Sequence, residues 1–334
     1  MKRIPAAYAA FAAALFALLP LPALAHVKWF HGAETPVKET LENVLSPLFM
    51  TVALIAAVVL GLLPQVDVKL TGVNGVRRLE GWFDRKRSWT YPILRFGTAA
   101  ALVIQLASGA VFAPDIQITA PQLYLGGAVI VLLLLPFAAT AMLAAVGLLT
   151  LFVMSVAEYG VFHMLDYGFY VAVAVALAVH HTKYREYGMP FLYLGTGLSL
   201  CWVAVEKWVF PGMSIGIVRE YGVPTFGFPA DAFVNLSAFI EFVVGYLLVV
   251  GLLNRFLAMV LTGIFVLTTT VFGWVEIVGH LMPHIILILF IIEGVSFYHP
   301  PIKMHKSVLD QIVFVSLNFL FTLGTMILLY YRFA

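Results

Sequence analysis

The chain has 334 residues, 62% of them hydrophobic and only 11% charged, whereas a soluble domain carries about a quarter charged residues; a water-soluble globular protein is excluded. The net charge of +2 is too small for a nucleic-acid partner, and the basic residues sit in short clusters between apolar runs instead of a continuous stripe. The single cysteine, Cys201, excludes an internal disulfide and a thiol-rich metal site, and its apolar setting reads as a buried, inert thiol.

The first 25 residues read as a secretory signal. Lys2 and Arg3 precede an apolar run from Ala6 to Leu19, Pro20 and Pro22 break the helix, and Ala23-Leu24-Ala25 offers a small-x-small cleavage site. The mature chain would begin at His26; an uncleaved signal anchor is the alternative. A terminal His26 carries an amine and an imidazole on one residue, able to chelate copper with His31 or another histidine. The competing reading of "HVKWFHG" is a juxtamembrane tail with Trp29 and Phe30 as interfacial anchors.

Beyond this, apolar stretches of about 20 residues, long enough to cross roughly 30 Å of hydrocarbon as helix, predict an all-α polytopic bundle in contact with the lipid bilayer. Ten spans are predicted, at 45–64, 93–113, 121–136, 138–158, 165–181, 189–210, 232–252, 256–274, 276–294 and 308–331. With the mature N-terminus outside, the inner loops hold Lys69, Arg77, Arg78, Arg85, Lys86, Arg87, Arg95, Lys183, Arg185, Arg255, Lys303 and Lys306, which is 12 of the 19 basic residues. The positive-inside rule then orients the chain in a bacterial inner membrane with both mature termini periplasmic. The segment "GVRRLEGWFDRKRSW" in the first inner loop is basic and amphipathic, suited to an anionic leaflet or to a soluble partner.

Two halves of the chain match. "FGTAAALVIQLASGAVFAP" from Phe96 aligns with "LGTGLSLCWVAVEKWVFP" from Leu194, Ala141-Met142 with Ala258-Met259, and His163 with His280, while Glu158 falls one residue from Glu276. The division predicted is a first four-helix repeat at 93–182 and a second, parallel one at 189–294, with one flanking span at each end.

Glu206-Lys207-Trp208 with Pro211, followed by "EFVVGYLLVVGLLNRFLAMVL" from Glu241, resembles the DoxX family of small four-helix membrane proteins, on Glu241, Gly245, Gly251 and Arg255. The resemblance covers the second repeat best. Where the first repeat should carry the glutamate it has Tyr124. The family implies association with thiosulfate:quinone oxidation, terminal oxidases, or redox or metal homeostasis.

Candidate chemistry collects at the predicted outer face. In "GWVEIVGHLMPHIILI", Glu276, His280 and His284 recur every fourth residue and lie within roughly 80° of one helix face, a donor set that suits a copper, zinc or iron ion. Glu158, His163 and Asp166 offer a comparable set, a pseudo-twofold axis could bring the two sets together into one site, and His26 could add a ligand from the N-terminus. Gly273, Gly279 and Pro283 are positions where that helix could break, and polar turn residues also bind only water and headgroups. Glu241 falls near mid-span and must be protonated, paired or facing a polar cavity, with Lys207 or Arg219 as partner; it reads as a proton relay, a contact to a quinone, or a packing hydrogen bond. His180, His181, His299 and His305 at inner helix ends read as headgroup and helix-terminus contacts.

The function expected is an inner-membrane component of redox or metal handling. Its metal or quinone site would be built from His280, His284, Glu276, His163 and His26, with Glu241 as the buried acid and a respiratory or other redox partner supplying the electron carrier. A small-solute or metal-ion transporter and a non-catalytic assembly subunit are the alternatives.

Overall fold

The computed structural model describes residues 27–30, 36–70, 81–294 and 307–334, of which 27 and 65–70 by their backbone alone. The signal segment, His26, His31, His299, His305 and most of the first basic loop lie outside these residues. Long apolar helices dominate what is described, and eight of them are long and apolar enough to cross a membrane. The protein is a multi-pass membrane helix bundle.

Helix α1 spans Pro47–Leu70 and α2 Thr90–Ala107. The run predicted to continue α2 to residue 113 does not do so. Gly109 turns out at a φ of 74°, and the chain folds back as a hairpin of β1 (Ala110–Val111) and β2 (Ala113–Gln117), with Phe112 at its tip at a φ of 67°. The apolar "AVFA" that reads as membrane helix instead forms the buried turn of the hairpin, where the Phe112 carbonyl accepts from Gln105 Nε2 at 3.0 Å and the Tyr170 hydroxyl at 3.1 Å.

Helix α3 (Ala120–Leu134) is only 15 residues, about 22 Å at the helical rise, and α4 is Ala138–Tyr159. Pro136 separates them. Arg95, expected in a loop, is buried inside α2 and reaches this break, its Nε donating to the Leu133 carbonyl at 2.7 Å. It thereby satisfies carbonyls that the end of α3 leaves open. The next predicted span is bent. Val161–Tyr167 and α5 (Phe169–Val179) meet at 59°, after Gly160 at a φ of 86° has ended α4.

The second half comprises α6 (Gly188–Val209), the short α7 (Pro211–Glu220), α8 (Ala230–Val250), α9 (Asn254–Phe272), α10 (Trp274–Glu293) and, after the break in description, α11 (Val308–Phe333). Against the ten spans predicted, the described residues hold eight helices long and apolar enough to cross, nine if the bent pair is one span, and α3 falls short of that length.

Helices α6 and α8 touch backbone to backbone. A Cβ at Gly197 would lie 2.5 Å from the Gly245 carbonyl oxygen, and one at Gly245 2.6 Å from that of Gly197, so both positions require glycine. This contact sets the register of the pair. Gly251, at a φ of 77°, ends α8, and Arg255 Nε and Nη2 donate to the Ile291 and Ile292 carbonyls at the end of α10. Three of the four residues that resemble DoxX therefore act in packing and capping.

Val27–Phe30, the hairpin, the Gly160–Gly168 turn, α7 and the C-terminus gather at one end of the bundle, the mouth. The loops around Arg87, Lys183 and Arg255 lie at the other, the basic end.

Candidate functional site

The site is built around α10. Gly273, at φ 67° and ψ −133°, breaks the chain after α9, and α10 then runs unbroken through Pro283, so the i, i+4 geometry of Glu276 and His280 survives. Glu276 Oε2 is hydrogen-bonded to His280 Nδ1 and accepts from the Thr268 hydroxyl of α9 at 2.9 Å. Both side chains are buried, and Glu276 Oε1 has no partner among the described residues. The imidazole is sandwiched: Phe265 stacks on it at 4.2 Å between ring centroids and 10° between planes, and Trp29 lies 4.7 Å away on a tilted plane.

Trp29 closes the mouth. Its ring lies directly over Gly279, where a Cβ would fall 2.0 Å from the indole, and its N–H donates to the Tyr167 hydroxyl at 2.9 Å. Only a glycine one helical position from His280 lets the indole settle on the imidazole. Phe30 packs against Phe272 and Tyr221 at 4.9 and 5.6 Å. The tail read as an interfacial anchor is therefore inserted into the protein.

Lys28 completes the seat. Its ammonium is 2.7 Å from Asp166 Oδ2 and 2.9 Å from Glu206 Oε1, and Glu206 also accepts from the Tyr330 hydroxyl at 3.1 Å. Burial opposes a charge there, yet the two carboxylates outweigh it and hold Lys28 above its ordinary pKa range. Beside them Asp115, on β2, accepts from the Tyr167 hydroxyl at 2.8 Å through Oδ1, while its Oδ2 lies 2.8 Å from His163 Nε2. One chain of contacts thus runs His163–Asp115–Tyr167–Trp29–His280–Glu276–Thr268. Four carboxylates, Asp115, Asp166, Glu206 and Glu276, face one lysine and two histidines.

Deeper in the bundle, Lys207 Nζ lies 2.6 Å from both oxygens of Glu241, with Lys207 fully buried and Glu241 nearly so. The geometry follows from the antiparallel α6–α8 contact. Cβ atoms tilt toward the helix N-terminus, so Lys207 leans from the mouth toward mid-bundle and Glu241 leans from mid-bundle toward the mouth. Arg219, the other partner considered, is not used. A cavity of about 10 Å³ beside Glu241, lined by Ser237, Leu200 and Phe265, has room for one water at most. Phe265 joins the two pairs, lining this cavity and stacking on His280.

The predicted metal set does not assemble. His284 sits one turn below His280, edge-on to Phe265 at 5.8 Å; His163 is committed to Asp115; Glu158 is exposed; His26 lies outside the described residues. Among the described residues no three His, Cys, Asp or Glu side chains are placed together to hold a metal ion. Lys28, Trp29, Asp115, Thr268 and Tyr330 belong to the site although their sequence context marks none of them as chemical. Two signals were present: a lone lysine inside an apolar tail, and an aspartate directly after an apolar run ending in proline.

No family model, curated protein or solved structure matches this chain.

Proposed function

We propose that the chain is an inner-membrane component of redox handling whose working part is the acid–base network beneath Trp29, with Glu241 as a deeper acid and the electron carrier supplied by a partner. The observation that carries this is the excess of carboxylates at the mouth: four acidic side chains, three of them buried, against one lysine and two histidines. Such an excess in a low-dielectric interior is relieved by held protons, and buried ionisable groups in membrane helices belong by default to proton or ligand pathways.

In this reading Glu276 and His280 act as one hydrogen-bonded acid–base pair, Thr268 orients the carboxylate, and Phe265 and Trp29 keep water from the imidazole. The Lys207–Glu241 pair balances its own charge and takes part only when a proton or ligand separates it. A quinone headgroup with its carbonyls at His280 is the substrate class the reading favours. The DoxX resemblance supports it. Periplasmic placement of the mouth rests on the basic loops at the opposite end.

The test is infrared difference spectroscopy on protein in nanodiscs. A carboxyl difference band between the oxidised and reduced forms of a short-chain ubiquinone analogue should be present in the wild type and lost in Glu276→Gln. The band should also vanish in His280→Ala. A spectrum without that band, or one indifferent to quinone, overturns the proposal.

A further inference from the structure

At the basic end, on the far side of the bundle from the mouth, lies a pocket of about 610 Å³ that the redox reading does not use. It opens where α2, α5, α6 and α10 emerge side by side. Leu94, Leu192 and Leu289 form its floor, Tyr91 and His180 one wall, and Arg87, Lys183 and Arg185 its rim. The volume is within the range of small-molecule sites, which combine an apolar lining with a few polar groups.

The rim cations are not equivalent. Arg87 is spoken for: it pairs with Asp84 at 3.1 Å, donates to the Glu293 carbonyl at 3.1 Å and lies 3.8 Å from the Glu293 carboxylate. Lys183 sits over the Tyr184 ring at 5.1 Å, and neither it nor Arg185 forms an ion pair among the described residues. Of the two lining carboxylates, Glu293 lies closest to Arg87 and attracts Arg185 only at longer range, which leaves Lys183 and Arg185 as the rim cations without an ion pair. Two helices start and two end around the pocket, so their terminal dipoles largely offset and these side chains set the preference.

The wall is built. Tyr91 and His180 stack at 3.6 Å with 5° between planes, and His181 Nε2 lies 3.0 Å from the Tyr91 hydroxyl. Burial first, then the positive charges of Arg185 and His181, hold the His180 pKa down at about 4, so a neutral imidazole faces the pocket. Arg185 thus acts on the pocket wall as well as on its rim.

We propose that this pocket binds a phosphoryl group carried on a compact body with apolar surface, with Lys183 and Arg185 as its charge partners and the leucine floor beneath. Two sources supply that chemistry, an anionic lipid headgroup at the membrane surface and a soluble phosphate ester.

Two arms separate them, each comparing wild type with Lys183→Gln/Arg185→Gln. Both residues are exposed, Lys183 in the turn after α5 and Arg185 at the start of the short 3-10 helix before α6, so the double variant should fold; an unchanged thermal transition checks this. In the first arm, native mass spectrometry counts lipid retained from vesicles of mixed phosphatidylglycerol and phosphatidylcholine. In the second, calorimetry titrates glycerol 3-phosphate into protein held in an uncharged detergent. Binding in either arm that weakens about a hundredfold in the double variant, about tenfold for each of the two cations, supports the site, and the arm that responds names the source. Equal retention of the two lipids together with no heat from glycerol 3-phosphate overturns it, as does binding unchanged in the variant. His280→Ala should leave both arms unaffected, which keeps this test independent of the mouth.

Discussion

Replacing Gly279 with alanine isolates the seat of the N-terminal segment. The new methyl carbon would stand 2.0–2.4 Å from three atoms of the Trp29 indole, well inside contact distance, so the ring must leave. The helix itself gains, because alanine is favoured over glycine in a helix interior by about 1 kcal/mol. The segment loses the Trp29–Tyr167 hydrogen bond, about 1 kcal/mol, and the ring contact with His280, about 1 kcal/mol more, along with part of the indole's burial. A total of roughly 2–3 kcal/mol corresponds to a 30- to 150-fold rise in the open population of the segment. Hydrogen–deuterium exchange read by mass spectrometry should show residues 27–30 losing protection by about that factor while α10 exchanges as slowly as before. Gly263→Ala is the control, since nothing lies within 4 Å of its Cβ position. Unchanged protection of the segment in Gly279→Ala, or loss of protection spread through α10, would refute the reasoning.

The Lys207–Glu241 pair should be costly to break and cheap to delete. Lys207→Met or Glu241→Gln alone leaves one buried partner uncompensated and should destabilise by about 3–5 kcal/mol, whereas Lys207→Met/Glu241→Leu should recover most of the loss in denaturation titrations; additive single effects would contradict this. His180 should remain neutral in the folded protein down to about pH 4, by nitrogen-labelled histidine resonances. Because its folded pKa lies below the ordinary 6.5, the unfolded chain takes up the proton first, so the Tyr91–His180 stack contributes fully above about pH 6.5 and progressively less as pH falls toward 4. Titration of His180 at its ordinary value would contradict the burial.

The sequence reveals helices wherever apolar length alone decides them, which is why the expected spans fall on observed helices with shifts of a few residues at most ends. It misplaces α2's end because "AVFAP" is apolar in either conformation, and the choice is made by tertiary contacts: Gln105 and Tyr170 both reach the Phe112 carbonyl. The same limit applies to the site. Glu276 and His280 are legible because their spacing fixes their geometry within one helix, whatever surrounds it, and Lys207 was legible as a partner for Glu241 because the two lie in adjacent helices. The surroundings of His163 and His284 are not legible for the opposite reason, since their neighbours come from β2 and from the ring of Phe265, which no periodicity reports. The N-terminal segment is the extreme case. Lys28 and Trp29 look like an interfacial tail until the mouth exists to receive them, and the mouth is assembled from residues as distant in sequence as Asp166, Glu206 and Gly279. Gly279 carries the one local hint, and it points the wrong way. A glycine in an apolar helix suggests a break, yet α10 is continuous there, and the missing side chain serves instead to admit an indole from the other end of the chain. Where a small residue lies on a helix face beside buried ionisable groups, the question to ask is therefore what ring or backbone it makes room for before asking whether the helix bends.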